Sequence, residues 1–384
     1  MKNKKIAYIH DFCFFVDNKH NPYTAVGMPE EYFSRFFSSG IDNVSIISRN
    51  KVIDNNKIIR LGFKKINNKE INIPIRIKNY FFLLNPLTLY KITKEIKKKD
   101  LLVINFPSII GIYIWIINFF IKKPYTLEIS ADSDQFKSKK FGLLLTFFIK
   151  KIFSCVVNKS QGAIYVSNYL LNKYKHKNGV VISNVNIYKI FPRKEISEPI
   201  LKKEKIKIFF AGGVNKRKGV PQLILAIEKI ISSDSIKNLE INIAGGHFDH
   251  DYKNEIIEKG LEKYINFLGI IDKEELNKYL QDSDLYIQPS LSEGIPRATL
   301  EAMSFGIPII ATKIPGFEEI LPDICLVSTN NHEELSDKIL ELLKNKVLYN
   351  SLITYNMNYI PNYLFNILQE RRVSFYQKVL EKIE

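Results

Sequence analysis

The chain has 384 residues, of which 46% are hydrophobic and 25% charged, a composition that excludes an intrinsically disordered protein and allows two domains with full cores. Its formal net charge is +16, which excludes an acidic protein. Residues 1–200 carry 33 Lys+Arg against 14 Asp+Glu (+19), whereas residues 201–384 carry 23 against 26 (−3).

The uneven charge predicts an anionic partner for the first half of the chain. A lysine excess caused only by genome composition would appear in both halves, and the second half has none. A membrane surface or an acidic acceptor would be attracted by this charge. Nucleic acid is the weaker interpretation, because no recognition motif accompanies the basic residues.

The cysteines favour a cytoplasmic protein. Cys13, Cys155 and Cys325 are scattered and lack metal-ligand spacing, which predicts free thiols in a reducing compartment. The basic residues at 1–5 precede an apolar stretch at 6–10 that is too short for the core of a signal peptide.

The N-terminal residues predict a βα unit. Residues 4–10 indicate a strand, a long loop with Gly27 follows, and a helix to about residue 39 precedes a strand at 43–47. No Gly-x-Gly-x-x-Gly pattern is present, so Gly27 is the glycine available near the helix start. A simple turn glycine is the alternative for this residue.

Residues 101–121 contain no charged side chain, a length that could span a bilayer. Asn105, Pro107, Gly111 and Asn118 interrupt the run. The sequence therefore predicts a buried strand at 101–106, a turn, and a buried helix, with a transmembrane helix as the alternative.

Residues 138–157 predict a basic amphipathic helix. Lys139 and Lys150, like Lys140 and Lys151, are eleven positions apart, so the four share one face. Apolar residues fill most of the remainder, as in helices that lie in a membrane interface. A core helix with a solvated lysine edge is the alternative.

The end of the first domain and the start of the second are marked by strands and prolines. A predicted strand at 125–130 leads to Asp132, and further strand ends lie at 162–167 and 180–186. Residues 191–205, with two prolines and many charges, predict an interdomain linker.

The second domain begins with a predicted strand at 206–211. It runs into Gly212, Gly213 and a basic turn, Lys216–Lys218, before a helix at 221–231. Later strands end at glycine turns, the first at Gly245 and Gly246 and the next at Gly269.

The segment 284–312 is the most informative for function. It places Glu293 and Glu301 eight positions apart, across a Gly-Ile-Pro turn and the start of a helix, with an apolar strand on either side. Pro296 suits a first helical turn, and the amides of 294–298 would then face an anion. Two carboxylates around an anion site suit a ligand with a phosphate and several hydroxyls, such as a nucleotide sugar.

This segment resembles the Glu-x7-Glu signature of retaining glycosyltransferases with the GT-B fold, specifically glycosyltransferase family 4. The elements that carry the resemblance are Pro-Ser, Glu-Gly, Leu-Glu-Ala-Met and Phe-Gly-Ile-Pro, in that order within residues 289–308. Residues 315–320 are similar to the gly-x-x-glu loop that follows in that family.

The resemblance implies an α/β protein with two Rossmann-like βαβ domains that face a central cleft. The corresponding division is an acceptor-binding domain at 1–190, the linker at 191–205, a nucleotide-sugar-binding domain at 206–362, and a C-terminal helix at 363–384 that packs back on the first domain.

The resemblance also implies roles for individual residues. Lys218 matches the lysine that neutralises the donor diphosphate, but Gly213 stands where the family has an arginine, so Arg217 or Lys216 would supply a second charge. Glu301 would hold the ribose hydroxyls and Glu293 the sugar hydroxyls. The implied donor-binding residues are Gly27, Gly212, Gly213, Arg217, Lys218, Gly245, Gly269, Glu293, Gly294, Ile295, Pro296, Arg297 and Glu301.

Three residues are the predicted catalytic set: Glu293, Lys218 and Asp132. Asp132 lies where many family members carry a polar group on the acceptor side, and a helix N-cap is its alternative role. No metal and no cofactor are expected. The residues at 247–250 lack further ligands at metal-site spacing.

The resemblance implies a cytoplasmic enzyme on the inner face of the cell membrane. By the resemblance, it would transfer a sugar from a UDP- or GDP-linked donor with retention. The basic first half and the predicted helix at 138–157 indicate a glycan or lipid-linked glycan acceptor in cell-surface polysaccharide biosynthesis. Two alternatives stay open: a GT-B phosphorylase, and a non-catalytic protein that binds a membrane surface or an anionic polymer.

Overall fold

The computed structural model describes residues 3–383 apart from 19–20, 25–27, 29, 55–62, 133–142, 234–235, 237 and 247. The chain divides into two compact units. The first comprises Met1–Ile182 and Gln369–Glu384, and the second comprises Ser183–Leu368.

The first unit is built on a sheet that has nine strands among the described residues. The strands are β1 (Lys4–Val16), β2 (Pro22–Thr24), β3 (Ile41–Val52), β4 (Lys64–Lys65), β5 (Ile71–Asn72), β6 (Leu101–Phe106), β7 (Tyr125–Ile129), β8 (Gly162–Tyr165) and β9 (Gly179–Val181). The parallel strands run in the order β5-β3-β1-β6-β7-β8-β9. At the C-terminal end of β1, β2 pairs antiparallel with β1 and β4 pairs antiparallel with β2. The order reverses between β1 and β6, as in doubly wound folds.

Helices cover this sheet, and polar side chains cap three of them. The helices are α1 (Ser34–Phe37), α2 (Pro86–Lys97), α3 (Ile109–Ile121), α4 (Leu143–Asn158) and α5 (Asn168–Lys173). Asn85, Ser108 and Ser167 accept hydrogen bonds from the first-turn amides of α2, α3 and α5, which satisfies donors that have no partner within the helix.

The predicted division of residues 101–121 is confirmed, since β6 is fully buried and α3 begins after Ser108. The predicted buried helix is buried on one face only. Ile110, Ile114 and Asn118 face the core, whereas Phe119 and Phe120 are exposed, because only one face of a helix can pack on a sheet. In the part of the chain that the structure describes, no helix is long and apolar enough to cross a membrane.

The predicted amphipathic helix at 138–157 lies partly outside the described residues, which exclude Lys139 and Lys140. Helix α4 begins at Leu143. At its C-terminal end Phe153, Val156 and Val157 are buried, and Lys151 is exposed. This end of α4 therefore packs as a core helix with a solvated edge.

The second unit contains a parallel sheet with the order β12-β11-β10-β13-β14-β15. Its strands are β10 (Ile206–Ala211), β11 (Leu239–Ala244), β12 (Ile265–Gly269), β13 (Leu285–Gln288), β14 (Ile309–Thr312) and β15 (Leu326–Val327). In sequence order this is 3-2-1-4-5-6, the doubly wound arrangement in which ligands bind where the order reverses. Here that point lies between β10 and β13.

The helices of the second unit follow its strands in alternation. They are α6 (Val220–Ser232), α7 (Tyr252–Glu258), α8 (Lys273–Asp282), α9 (Arg297–Met303), α10 (Pro315–Glu318), α11 (His332–Lys344) and α12 (Lys346–Tyr359). Residues 191–205, predicted as a linker, pack on this unit: the Phe191 ring stacks on Phe305 with centroids 4.2 Å apart, and Ile200 is buried.

The last helix, α13 (Phe365–Lys382), contributes residues from Gln369 onward to the first unit. Its Tyr376 hydroxyl donates a 2.6 Å hydrogen bond to Glu128 on β7. Glu128 also pairs with Arg35 at 3.1 Å. Burial of this carboxylate opposes its ionisation, but Arg35 and the tyrosine donors prevail and lower its pKa. The C-terminal helix is thus fixed to the first unit through an ionised buried glutamate.

Candidate functional site

The candidate site of the second unit lies at the carboxyl ends of β10 and β13, the adjacent strands at which the sheet order reverses. The β10 loop carries Lys218 and the β13 loop carries Glu293. These residues are 75 positions apart in sequence, and the parallel pairing of the two strands brings their loops together.

Lys218 and Glu293 form the centre of this site. The Lys218 ammonium pairs with Oε1 of Glu293, and the side chains are only 18% and 10% exposed. Ser290 Oγ donates to the same carboxylate oxygen at 2.9 Å. An ammonium and a carboxylate are therefore held in fixed positions at the end of the sheet.

A chain of buried polar side chains on β13 supports Glu293 from behind. The Tyr286 hydroxyl donates to Gln288 Oε1 at 2.6 Å, and Gln288 Nε2 donates to Ser290 Oγ at 3.1 Å. Burial, reinforced by the nearby carboxylates of Glu293 and Glu301, raises the pKa of Tyr286 well above its ordinary range. The Tyr286 hydroxyl therefore keeps its proton and donates, so the hydrogen bonds of this series of side chains all run toward Glu293.

The sequence analysis missed this supporting chain. Residues 286, 288 and 290 alternate along a strand and its extension, so they share one face. That alternation was the available signal, and a polar series in a buried strand is unusual enough to be informative.

Arg217 fastens the two site loops to each other. Its guanidinium donates to the carbonyl of Ser292 at 3.0 Å, and its own carbonyl accepts from the Leu291 amide at 2.8 Å. Lys216, the other predicted substitute for the arginine missing at Gly213, donates its amide to Asp249 at 3.0 Å. Arg217 is thus the second cation that the structure places against the Glu293 loop.

Helix α9 supplies amides to the same region. It begins at Arg297 with Pro296 as its N-cap, one position later than the predicted start at Pro296. The amides of the first helical turn have no partner within the helix. A Cβ on Gly316 of α10 would lie 2.5 Å from the carbonyl of Gly294, so the loop at 315–320 packs directly beneath the glutamate loop.

Three of the predicted donor-binding glycines, Gly212, Gly245 and Gly269, lie together at the same sheet edge. Gly212 donates its amide to Ala244, and Gly245 donates to Gly269 at 2.7 Å. Gly245 has φ +147°, and a Cβ there would lie 1.7 Å from the Gly212 carbonyl. Only glycine permits this approach of the β10 and β11 loops.

Glu301 lies on α9 and pairs with Lys273, the first residue of α8, at 3.0 Å. The Glu301 side chain is 23% exposed. Lys273 was not predicted, because it is an ordinary surface lysine in sequence and only the fold places it beside Glu301.

Asp132, the third predicted catalytic residue, belongs to the first unit. It pairs with Lys173, accepts from the Tyr174 hydroxyl at 2.5 Å and from Tyr169 at 3.0 Å. Burial opposes the charge of Lys173, but its bonds to Asp132 and Tyr169 raise its pKa. The structure connects Asp132 to α5 and the residue after it; Gly27 lies outside the described residues.

The first unit has its own polar groups where its sheet order reverses, and the sequence analysis missed them. β1 pairs with β6 as far as Ile9, and His10 and Asp11 follow. The Asp11 carboxylate accepts from the amides of Ile109 and Ile110 at 2.7 and 3.0 Å, which stabilises the start of α3. His10 and Asp11 directly follow the part of β1 that pairs with β6, and this position at a strand end was the signal available in the sequence.

Acidification should destabilise the first unit through His10. Burial lowers the pKa of His10 from 6.5 to about 4, although Glu128 and Asp11 act in the opposite direction. The unfolded chain binds more protons between these values, so stability should fall as the pH drops from 6.5 toward 4, by up to about 1.4 kcal/mol per pH unit. Urea unfolding of the wild type and His10→Gln across this range tests this. An identical pH dependence in both proteins would contradict it.

Among the described residues, no group of three or more His, Cys, Asp and Glu side chains is placed to hold a metal ion. The expectation that the chain needs no metal stays a prediction.

Known proteins resemble the part of the chain that carries this site. The family model of glycosyl transferases group 1 matches residues 192–358, which include both site loops. This similarity to glycosyl transferases group 1 lies within the second unit of the chain. The chain is 28% identical to Protein CapJ of Staphylococcus aureus over 98% of this chain and 96% of that protein. It is 24% identical to an uncharacterized 41.2 kDa protein in the cps region of Klebsiella pneumoniae, over 59% of this chain and 61% of the relative.

Solved structures show that the chain has the predicted GT-B fold. Sucrose-phosphate synthase from Thermosynechococcus elongatus matches with a TM-score of 0.70 at 14% identity, covering 99% of this chain and 100% of the other. Anabaena HepE, solved in complex with UDP and glucose, matches with a TM-score of 0.67 at 15% identity, covering 99% of each chain. The prediction of two Rossmann-like α/β domains is confirmed.

Proposed function

We propose that this protein is a glycosyltransferase of family 4, which transfers a sugar from a UDP- or GDP-linked donor with retention of anomeric configuration. The acceptor is a glycan or lipid-linked glycan of cell-surface polysaccharide biosynthesis, and the protein works in the cytoplasm on the inner face of the membrane. The observation that carries the proposal is the Lys218–Glu293 pair, fixed beside the first turn of α9 where the sheet order reverses.

The charges of the site suit a diphosphate. Lys218 and Arg217 lie on the β10 loop, and the first-turn amides of α9, which have no partner within the helix, lie beyond Pro296. Donors and cations held in place before the reaction stabilise the charge that develops on a leaving diphosphate, which is usually the largest catalytic contribution. On binding, Lys218 exchanges part of its contact with Glu293 for a phosphate oxygen.

The carboxylates suit hydroxyl groups. Among the described residues, hydrogen bonds reach Glu293 only at Oε1, which leaves Oε2 to accept from a sugar hydroxyl. Glu301 lies eight residues further on, and its carboxylate accepts from the ribose hydroxyls in competition with Lys273. These two contacts orient the donor at either end of its diphosphate.

The relatives support the cell-surface assignment. One relative is named CapJ and another is encoded in a cps region. HepE was solved with UDP and glucose, and TarM with UDP and α-GlcNAc-glycerol. These names and ligands belong to those proteins, and they favour a UDP-sugar and a surface glycan for this chain.

Nucleotide sugars should raise the melting temperature of the protein in a base-specific way. A thermal-shift panel of UDP-, GDP-, ADP- and CMP-sugars should give stabilisation by one nucleotide family. Glu301→Ala should weaken binding of that nucleotide about tenfold, the loss expected when charged hydrogen bonds to a ribose are removed. Glu341→Ala, a surface carboxylate that pairs with Lys338 at 2.7 Å, is the matched control.

Absence of any nucleotide-dependent shift in melting temperature would contradict the donor site.

Product analysis with and without free phosphate separates the transferase from a phosphorylase, and donor hydrolysis above background excludes a non-catalytic binding protein. Transfer should persist in EDTA, and its loss would contradict the metal-independent mechanism.

A further inference from the structure

The first unit exposes large apolar side chains on one surface. They come from the 3₁₀ turn Tyr80–Leu84 and from α2 and α3, and Phe81, Leu84 and Phe120 are 81%, 79% and 80% exposed. We call this surface the apolar face; its members are Phe81, Leu84, Leu87, Tyr90, Ile116, Phe119 and Phe120. Single exposed apolar residues are ordinary, but a group this large on adjoining elements marks an interaction site.

These elements adjoin one another, so the side chains form one surface. The Tyr113 hydroxyl of α3 donates to the Leu83 carbonyl of the 3₁₀ turn at 2.6 Å, and α2 contacts both α3 and the turn.

The outward side of α3 lacks the composition of a solvated helix. Ile116, Phe119 and Phe120 lie opposite the buried Ile110 and Ile114, and from Ile109 to Ile121 the helix has no charged residue. A surface helix that packs on a sheet normally carries charged residues on its outer face. The outer face of α3 is therefore suited to an apolar environment.

Lysines surround the apolar face. The ammonium groups of Lys94 and Lys159 lie 5.9 and 5.5 Å from the ring centres of Tyr90 and Phe119. Residues 78–123 contain eight lysines and two acidic residues. An apolar centre with a cationic border is the arrangement that binds the anionic surface of a bilayer.

A cavity at the end of α3 adds a place for a lipid phosphate. It has a volume of about 570 Å³, and Lys122, Lys123 and Lys159 line it together with Trp115 and Phe119. Trp115 donates to the Tyr125 hydroxyl at 3.1 Å, which fixes the apolar wall of the cavity. Lysines and aromatic side chains that line one cavity match a phosphate attached to an acyl chain.

We infer that the apolar face inserts into a bilayer that contains anionic lipid, with a lipid phosphate bound between Lys122, Lys123 and Lys159. The inference rests on the proposed function in one respect: an acceptor carried by the membrane requires the protein to bind at the membrane. A second copy of the chain is the weaker occupant, because two lysine borders facing each other would repel. The surface is distinct from the predicted interfacial helix at 138–157.

Vesicle flotation of the full chain tests this inference. Wild-type protein should float with phosphatidylcholine vesicles that contain about 30% phosphatidylglycerol and bind far less to pure phosphatidylcholine. Phe81→Ser/Phe120→Ser should reduce binding to the anionic vesicles at least about tenfold. Lys122→Gln/Lys123→Gln should reduce the salt-sensitive part of the binding. The matched control is Val347→Ser, which removes a 75% exposed apolar residue from the second unit.

Each outcome decides the inference. Retained binding in Phe81→Ser/Phe120→Ser, equal loss in Val347→Ser, or no binding by the wild type would overturn it. Light scattering that shows a wild-type dimer, dissociated by the double variant, would assign the face to a second copy and also overturn it. Nucleotide-induced thermal shifts of the same variants should equal that of the wild type, so failure of the donor site is detected separately.

Discussion

Glu293→Gln should reduce sugar transfer by about 10²- to 10³-fold while the protein folds normally, since the loss of one oriented group at a reacting centre has this size. Glutamine keeps an oxygen that can accept from Lys218 and Ser290, which hold the wild-type carboxylate at Oε1. It loses the negative charge and replaces Oε2, the acceptor for the donor sugar, with an NH2 group. The melting temperature should therefore change by less than about 4 °C.

The measurement is kcat and KM for the donor identified by the thermal-shift panel. We expect the loss in kcat, with nucleotide affinity close to that of the wild type, because the proposed diphosphate contacts of Lys218, Arg217 and the α9 amides are unchanged by the substitution. The control is Glu228→Gln, which removes the same charge from a carboxylate paired with Lys259 at 2.7 Å outside the site. Wild-type turnover in Glu293→Gln would remove Glu293 from the mechanism.

Much of the second unit could be predicted from sequence because its signals are local. Glu293, Pro296 and Glu301 lie within one strand–loop–helix segment, where spacing alone places them. The pairing of Lys218 with Glu293 required the sheet order, since only the adjacency of β10 and β13 joins positions 75 residues apart. Local pattern therefore predicted the residues, and topology determined their partners.

The first unit was less predictable for a physical reason. The hydrophobicity of residues 109–121 predicts a helix, but it does not distinguish a face that packs on the sheet from one that meets a membrane. Asp132 carries no sequence signal for its contact with Lys173, which depends on the position of α5 against β8 and β9. Burial of His10 likewise follows from its tertiary surroundings, in which Glu128 of β7 and Arg35 of α1 are close enough to affect its pKa.

The second substitution with a large expected effect is at Gly219, where the loop after β10 packs closely on the loop after β13. Gly219 follows Lys218 with φ +76°, and a Cβ there would lie 1.8 Å from the carbonyl of Pro289, which precedes Ser290 in the other loop. Backbone atoms cannot yield as a flexible side chain would, so the two loops would have to separate. That separation would remove Lys218 from Glu293 and open the donor site.

Gly219→Ala should lower the free energy of unfolding by about 3 kcal/mol or more, from left-handed strain together with the steric conflict, and should abolish nucleotide-induced stabilisation. Gly260→Ala is the matched control, because Gly260 has φ +64° and no atom within 4 Å of its Cβ position. Its cost should be the conformational strain alone, about 1–2 kcal/mol, with nucleotide binding retained. Urea unfolding and thermal shift of both variants measure the difference. Equal destabilisation by the two substitutions would show that the approach of Gly219 to Pro289 does not hold the site loops together.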